Sequence, residues 1–223
     1  MQPVQQTFFT VHASPSSFLQ AALPHLLRNQ RKFNVILPHA QKLLAHERSS
    51  RPLAPGQFWI IGWSQPPPSP LTPTTNPSPA LDLVLSCTEH HLGTYPLFLV
   101  LSSDIPTLSD AWIDSQMNKL ARKLREIVST ARVFSIFGQE KPTLALCRHW
   151  STITGARIVL EPYYEASSSY CTQKTFVKKD SRLPQGHEMR LARQSDLHSI
   201  AQLCQEFAAD SVSQFNQKNA TLI

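Results

Sequence analysis

The chain has 223 residues, 41% of them hydrophobic and 16% charged, room for one large domain or one and a half ordinary ones with a sizeable core. No apolar run is long enough to span a bilayer or to form a secretory core. Four scattered cysteines (Cys87, Cys147, Cys171 and Cys204) read as reduced thiols in a cytoplasmic or nuclear setting rather than as a disulfide framework. The net charge of +6 divides into +4 over residues 1–50, zero over 51–165, +4 over 166–193 and −2 over the remainder, with no aromatic-interleaved basic sheet, so neither nucleic acid nor membrane is expected as a partner.

In chain order, residues 8–11 predict a short strand. Ser14 followed by Pro15 is a strong helix start, with Phe18, Leu19, Ala22 and Leu26 as the buried stripe and Pro24 as a kink. A second helical pattern follows in Phe33, Ile36, Leu37, Ala40, Leu43 and Leu44, its regular part starting at Pro38. His25, His39 and His46 fall on different faces, which speaks for packing or solvated histidines and against a metal site.

Residues 57–63 (QFWIIGW) predict a strand rich in aromatic and β-branched side chains. Residues 65–79 hold seven prolines and cannot join a ladder, so they read as an extruded loop between strands. Its Pro67-x-x-Pro70 and Pro70-x-x-Pro73 spacings would suit a polyproline groove, but no Arg or Lys flanks them closely, which favours a plain insertion. Residues 81–87 and 95–101 predict two further strands around a turn with His90, His91 and Gly93.

Ser109 caps a helix with the stripe Ile113, Met117, Leu120, Leu124, Ile127 and Val128. Residues 133–137 predict a strand closed by Gly138, and residues 143–153 a helix facing inward with Leu144, Cys147, and Trp150 or Ile153, stopped by Gly155. Residues 157–164 predict a last strand, and residues 166–187 a Ser- and Lys-rich linker. Met189 and Leu191 then alternate with Glu188 and Arg190, Ser195 stands as an N-cap, and Leu197, Ile200, Ala201, Cys204, Phe207 and Ala208 form one apolar stripe. The fold class is therefore mixed α/β (α+β): a twisted mixed sheet flanked by helices, with an incomplete strand–helix unit behind it.

The run Gly186-x-x-x-Arg190-x-Ala192-x-x-x-Asp196-x-x-x-Ile200 resembles the opening strand and helix of the GNAT superfamily, the acyl-CoA-dependent N-acetyltransferases. Gly138-x-x-x-Pro142 and Trp150-x-x-x-x-Gly155 resemble the sequence that precedes the acetyltransferase domain in two-part members, and the element order over residues 8–164 resembles the GNAT fold itself. The resemblance implies a degenerate GNAT-like domain over residues 1–165, a linker over 166–187, and the first strand and helix of an acetyltransferase domain over 188–223. It also implies an acyltransferase in which acyl-CoA and an amine bind together and the deprotonated amine attacks the thioester.

Such an enzyme cradles the coenzyme pyrophosphate on a glycine-rich turn whose amides point at the phosphates. The matching place in this chain, after Leu101, reads Ser102-Ser-Asp-Ile-Pro-Thr107: it lacks glycine, Asp104 opposes phosphate, and Pro106 removes an amide. The second domain is expected to be truncated, since residues 210–223 contain no glycine turn. Acetyl-CoA is thus the co-substrate of the complete family, with binding by this chain not expected. No catalytic, coenzyme-binding or metal residue is assigned. Tyr163, Tyr164 and Glu206 have ordinary packing or surface roles, while Cys87-x-x-His90 and Cys147-x-His149 give incomplete zinc spacings. The expected function is an N-acyltransferase-like protein inactive as this chain; the alternative is a non-catalytic interaction or dimerisation module that binds a protein partner or a second copy.

Overall fold

The computed structural model describes residues 6–65, 78–90, 93–159, 161–162, 165, 171–177 and 183–208. The chain divides into two compact units, Met1–Ala166 and Ser167–Ile223.

The first unit is a mixed α/β fold around a five-stranded sheet. Strand β1 (Gln6–His12) leads into helices α1 (Pro15–Arg28) and α2 (Ile36–Arg48). Strands β2 (Phe58–Gln65) and β3 (Ala80–Cys87) follow, then a two-residue hairpin of β4 (Glu89–His90) and β5 (Gly93–Thr94), and β6 (Leu97–Leu101). Helix α3 (Asp110–Arg125), strand β7 (Ile136–Gly138) and helix α4 (Glu140–Thr154) complete the unit. The sheet order is β1-β2-β3-β6-β7, antiparallel throughout except for the parallel pairing of β6 with β7.

Both faces of the sheet are buried. Phe58, Ile60, Leu83, Leu85, Leu97, Leu99 and Leu101 face α3 and α4, which contribute Ile113, Met117, Leu120, Leu124, Leu146 and Trp150. Trp59, Ile61, Trp63, Leu81 and Val84 face α1 and α2, which contribute Phe18, Leu26, Phe33, Ile36 and Leu43. Phe18 stacks on Trp59 with ring centroids 5.0 Å apart, a contact of the kind that adds about 0.5–1.5 kcal/mol beyond area burial.

A β-bulge reconciles these two faces. Gly62 pairs with Leu83 but Trp63 pairs with Leu81, so Asp82 is one extra residue on β3. Strict alternation would put Leu81 on the face of Leu83; the extra residue moves it to the face of Trp63.

Several boundaries differ from the sequence reading, and prolines explain two of them. Helix α2 begins at Ile36, ahead of Pro38, and α4 begins at Glu140, ahead of Pro142. Each proline occupies the third helical position, where an amide has no intrahelical partner to lose. Helix α1 likewise runs past Pro24 to Arg28, its stripe of Phe18, Leu19, Ala22 and Leu26 fully packed. Helix α3 stops at Arg125, leaving Ile127 outside it and exposed.

In α4 the inward face is Pro142, Ala145, Leu146 and Trp150, while Leu144 and Cys147 are only half-buried. The earlier start rotates the stripe away from the pair expected. The strand expected over 133–137 is Ile136–Gly138, preceded by a 3₁₀ turn at Thr130–Arg132. No strand forms at residues 157–159 or 161–162; the other residues of that expected strand, and the proline-rich stretch 66–77, lie outside the described residues.

In the second unit, helix α5 (Leu197–Ala208) follows a 3₁₀ turn at Gln194–Asp196. The expected strand at 188–191 is absent: Met189 and Leu191 are 83% and 90% exposed and pair with no neighbour. The N-cap is Arg193 instead of Ser195, because the Asp196 carboxylate reaches back to accept the Arg193 amide at 2.8 Å. The Arg190 guanidinium grips the same carboxylate at 2.6 and 2.9 Å and, with that amide, holds its pKa down at about 2. Leu197, Ile200, Leu203 and Phe207 of α5 are exposed.

Gly138 ends β7 under a steric constraint: an added Cβ would lie 2.5 Å from the Leu99 carbonyl oxygen and 2.9 Å from Thr143 Oγ1. Gly138→Ala is expected to cost about 1–3 kcal/mol in urea denaturation, the range for overpacking a fixed backbone contact. An unchanged midpoint would show that β6 and β7 are not held at this spacing.

Candidate functional site

The end of β6 is where the sequence places a coenzyme turn. Strand β6 outruns β7: the parallel pairing stops at Leu99 opposite Gly138, and β6 continues to Leu101. From there the chain makes a 3₁₀ turn at Ile105–Thr107 and enters α3.

Three amides at this turn and its exit are committed within the protein. Ser102 N–H donates to the Asp82 carbonyl at 2.8 Å, Thr107 N–H to Asp104 at 2.9 Å, and Leu108 N–H to Ile105 at 3.0 Å. Pro106 has no N–H to give. At the start of α3, Ser109 Oγ accepts the Trp112 amide at 3.2 Å, so the helix caps itself.

A cation does reach the turn, from the loop after α1. Lys32 Nζ donates to the Ser102 carbonyl at 2.6 Å and stands 2.8 Å from Asp104 Oδ1. The hydrogen bond from Lys32 to the Asp104 carboxylate, and then the charge of Lys32, hold the Asp104 carboxyl below the usual carboxylate range. Asp104 is therefore paired with Lys32 instead of standing alone to repel an anion, as its sequence position implied.

Behind the turn lies a second polar group that the sequence reading passed over. Asp82 is half-buried in the bulge, and Ser64 Oγ donates to its Oδ1 at 2.9 Å. Ser102 Oγ donates to the backbone carbonyls of Leu81 and Asp82, fastening the start of the turn to β3. The signal was available: Asp82 is the lone charged residue in the strand ALDLVLSC.

Two concavities occur elsewhere. One of about 140 Å³, between α2 and the sheet, is lined by Val35, His39, Ser86, Thr88, Tyr95 and Phe98. The other, about 320 Å³ between α3 and α4, is edged by Asp110, Asp114, Lys141 and Arg148; Lys141 pairs with Asp110 at 3.1 Å, and the His149 ring hydrogen-bonds with Asp114 at 2.9 Å.

The residues weighed from sequence that are described each have an ordinary local role. Cys87 is buried in the core facing α3 and α4, where burial pushes its thiol up to about 11, far from a reactive thiolate. His25 packs on the Trp63 ring at 5.3 Å, and His39 on Tyr95 at 5.7 Å. Glu206 accepts a hydrogen bond from Gln202 along exposed α5. Tyr163, Tyr164 and His91 lie outside the described residues. Among the described residues, no group of three or more His, Cys, Asp or Glu side chains is placed to hold a metal, and no helix is long and apolar enough to cross a membrane.

Comparison with protein-family models, with curated proteins and with solved structures returns no match to this chain. The case for any kinship rests on the residues and on the topology described above.

Lys32→Met tests the electrostatics of the turn. With the partner gone, the Asp104 carboxyl is expected to titrate near its ordinary 3.8 instead of below it, read by the pH dependence of its side-chain carbon resonance. The sign is that of a depressed acid: the pair's contribution is present above the unfolded pKa and is lost as pH falls. An unmoved midpoint in the variant would mean that Lys32 does not govern Asp104.

Proposed function

We propose that this chain is an acyl-CoA-dependent N-acyltransferase-like protein of GNAT type, whose first unit is a degenerate copy of the fold that does not bind the coenzyme. Two things support the kinship. The order of strand, two helices, antiparallel strands, helix, parallel strand and helix follows the order the resemblance implies for residues 8–164 as far as α4, while the last strand it implies does not form at 157–159 or 161–162. The motif residues Gly138, Pro142, Trp150 and Gly155 hold structural positions: a close strand contact, a first helical turn, a core contact and a left-handed C-cap at φ +74.

The observation that carries the non-binding half is the turn after β6. Its Ser102, Thr107 and Leu108 amides are committed internally, Pro106 lacks one, and Lys32 is tied to Asp104. A pyrophosphate would, in this reading, find those three amides already occupied. In this reading the turn is structural, and no residue of the first unit carries acyl transfer.

A second reading, a dimerising or partner-binding module, is favoured by the sheet's outer edge. Strand β7 is three residues long and, among the described residues, pairs only with β6. Beside it Phe137 is 43% exposed and meets the Phe98 ring at 5.6 Å. Open strand edges with apolar neighbours invite pairing with another chain.

Isothermal titration with acetyl-CoA and with free coenzyme A separates the claims. The expected outcome is no saturable heat at micromolar coenzyme and no shift in melting temperature. Micromolar binding would overturn the non-binding proposal and restore the turn as a coenzyme site. Sedimentation velocity at several concentrations, in the same buffer, reads the second proposal: a monomer throughout would remove dimerisation.

A further inference from the structure

Asp82 occupies a place where the strand pattern calls for an apolar side chain, and it joins three strands at one point. Its carboxylate accepts from Ser64 on β2. Its backbone carbonyl accepts from both the amide and the hydroxyl of Ser102, at 2.8 and 3.1 Å, where β6 ends. The Ser102 carbonyl in turn accepts from Lys32, which also holds Asp104. A continuous run of hydrogen bonds thus leads from the bulge to the turn 102–107.

The groups facing Asp82 decide how it responds to a proton. From β2 comes Ser64, and from the end of β6 comes Ser102, both uncharged. The charges tied into the same network, Lys32 and Asp104, neutralise each other, and Arg31 acts on Asp104. Burial therefore prevails over the bond from Ser64 and pushes the Asp82 carboxyl up to about 6.

We propose that Asp82 is a pH-dependent latch on the turn after β6: neutral, it stays seated in the bulge and keeps Ser102 fastened to β3; ionised, it is drawn toward water and loosens that fastening. Bulges sit at places where a ladder is already locally broken, so little pairing opposes the movement. The linkage follows the sign of a raised acid. The stability that the neutral carboxyl contributes is full below the unfolded pKa of 3.8 and is lost as pH rises through about 6. This inference does not rest on the acyltransferase reading, and its test involves no coenzyme.

The test is a nuclear magnetic resonance titration of the whole chain from pH 4 to 8. It follows the Asp82 side-chain carboxyl carbon and the amides of Ser64, Ser102 and Asp104. The expected result is one shared midpoint near 6, with Ser102 amide exchange above that pH rising faster than its intrinsic pH dependence. Ser64→Ala should move the midpoint upward at Asp82 and at the Ser102 amide together, because the lost hydroxyl favours the charged form; a Ser102 midpoint that stays in place while that of Asp82 moves overturns the latch.

Asp82→Asn should abolish the step at Ser102. It should also melt about 2–4 °C above the wild-type chain at pH 7.5 and level with it at pH 4. A midpoint near the ordinary 3.8, or a Ser102 step that survives in Asp82→Asn, overturns the latch. Should Asp82→Asn fail to fold, the wild-type and Ser64→Ala titrations still decide.

Discussion

Burial of both faces of one sheet is the constraint from which the first unit follows. Adjacent residues of β2 serve opposite cores: Phe58 and Ile60 pack with α3 and α4, while Trp59, Ile61 and Trp63 pack with α1 and α2. No position along such a strand is available for a polar side chain without a partner. The helices come in two pairs because each face needs its own cover, and a one-residue slip between β2 and β3 would exchange the two cores. The bulge at Asp82 is the place where the ladder absorbs such a slip, so that both Leu81 and Leu83 reach an apolar layer.

The same constraint shapes the end of β6. A strand that emerges between two packed layers leaves its last carbonyls and amides to be satisfied locally. Ser102, Lys32 and the 3₁₀ turn at Ile105–Thr107 do this with internal bonds and without glycine.

Much of the fold was legible in the sequence because its signals are local. Ser14-Pro15 and Ser109 are caps whose hydroxyls do accept first-turn amides, and Gly155 adopts the left-handed conformation that a helix stop demands. Alternation and β-branching located β1, β2, β3 and β6 to within two residues. The failures came where context outweighs local preference. Pro38 was read as an interruption, and the helix over 143–153 was begun just after Pro142, although a third helical position accepts both prolines. Residues 157–159 and 188–191 have strand-like composition, but composition does not supply a neighbouring strand to bond with. At the candidate site, the absence of glycine was plain, whereas the pairing of Lys32 with Asp104 links residues seventy-two apart and leaves no trace in spacing.

The two cores also differ in their aromatic content. Trp59 and Trp63 lie in the layer under α1 and α2, and Trp150 lies in the layer under α3 and α4. Indole emission therefore carries an address: each layer has its own fluorophore, and the sheet is the wall between them. Because β2, β3 and β6 carry side chains of both layers, stripping the helices from one face would wet the strands on which the other face rests. The two layers of the first unit are therefore expected to lose their order together.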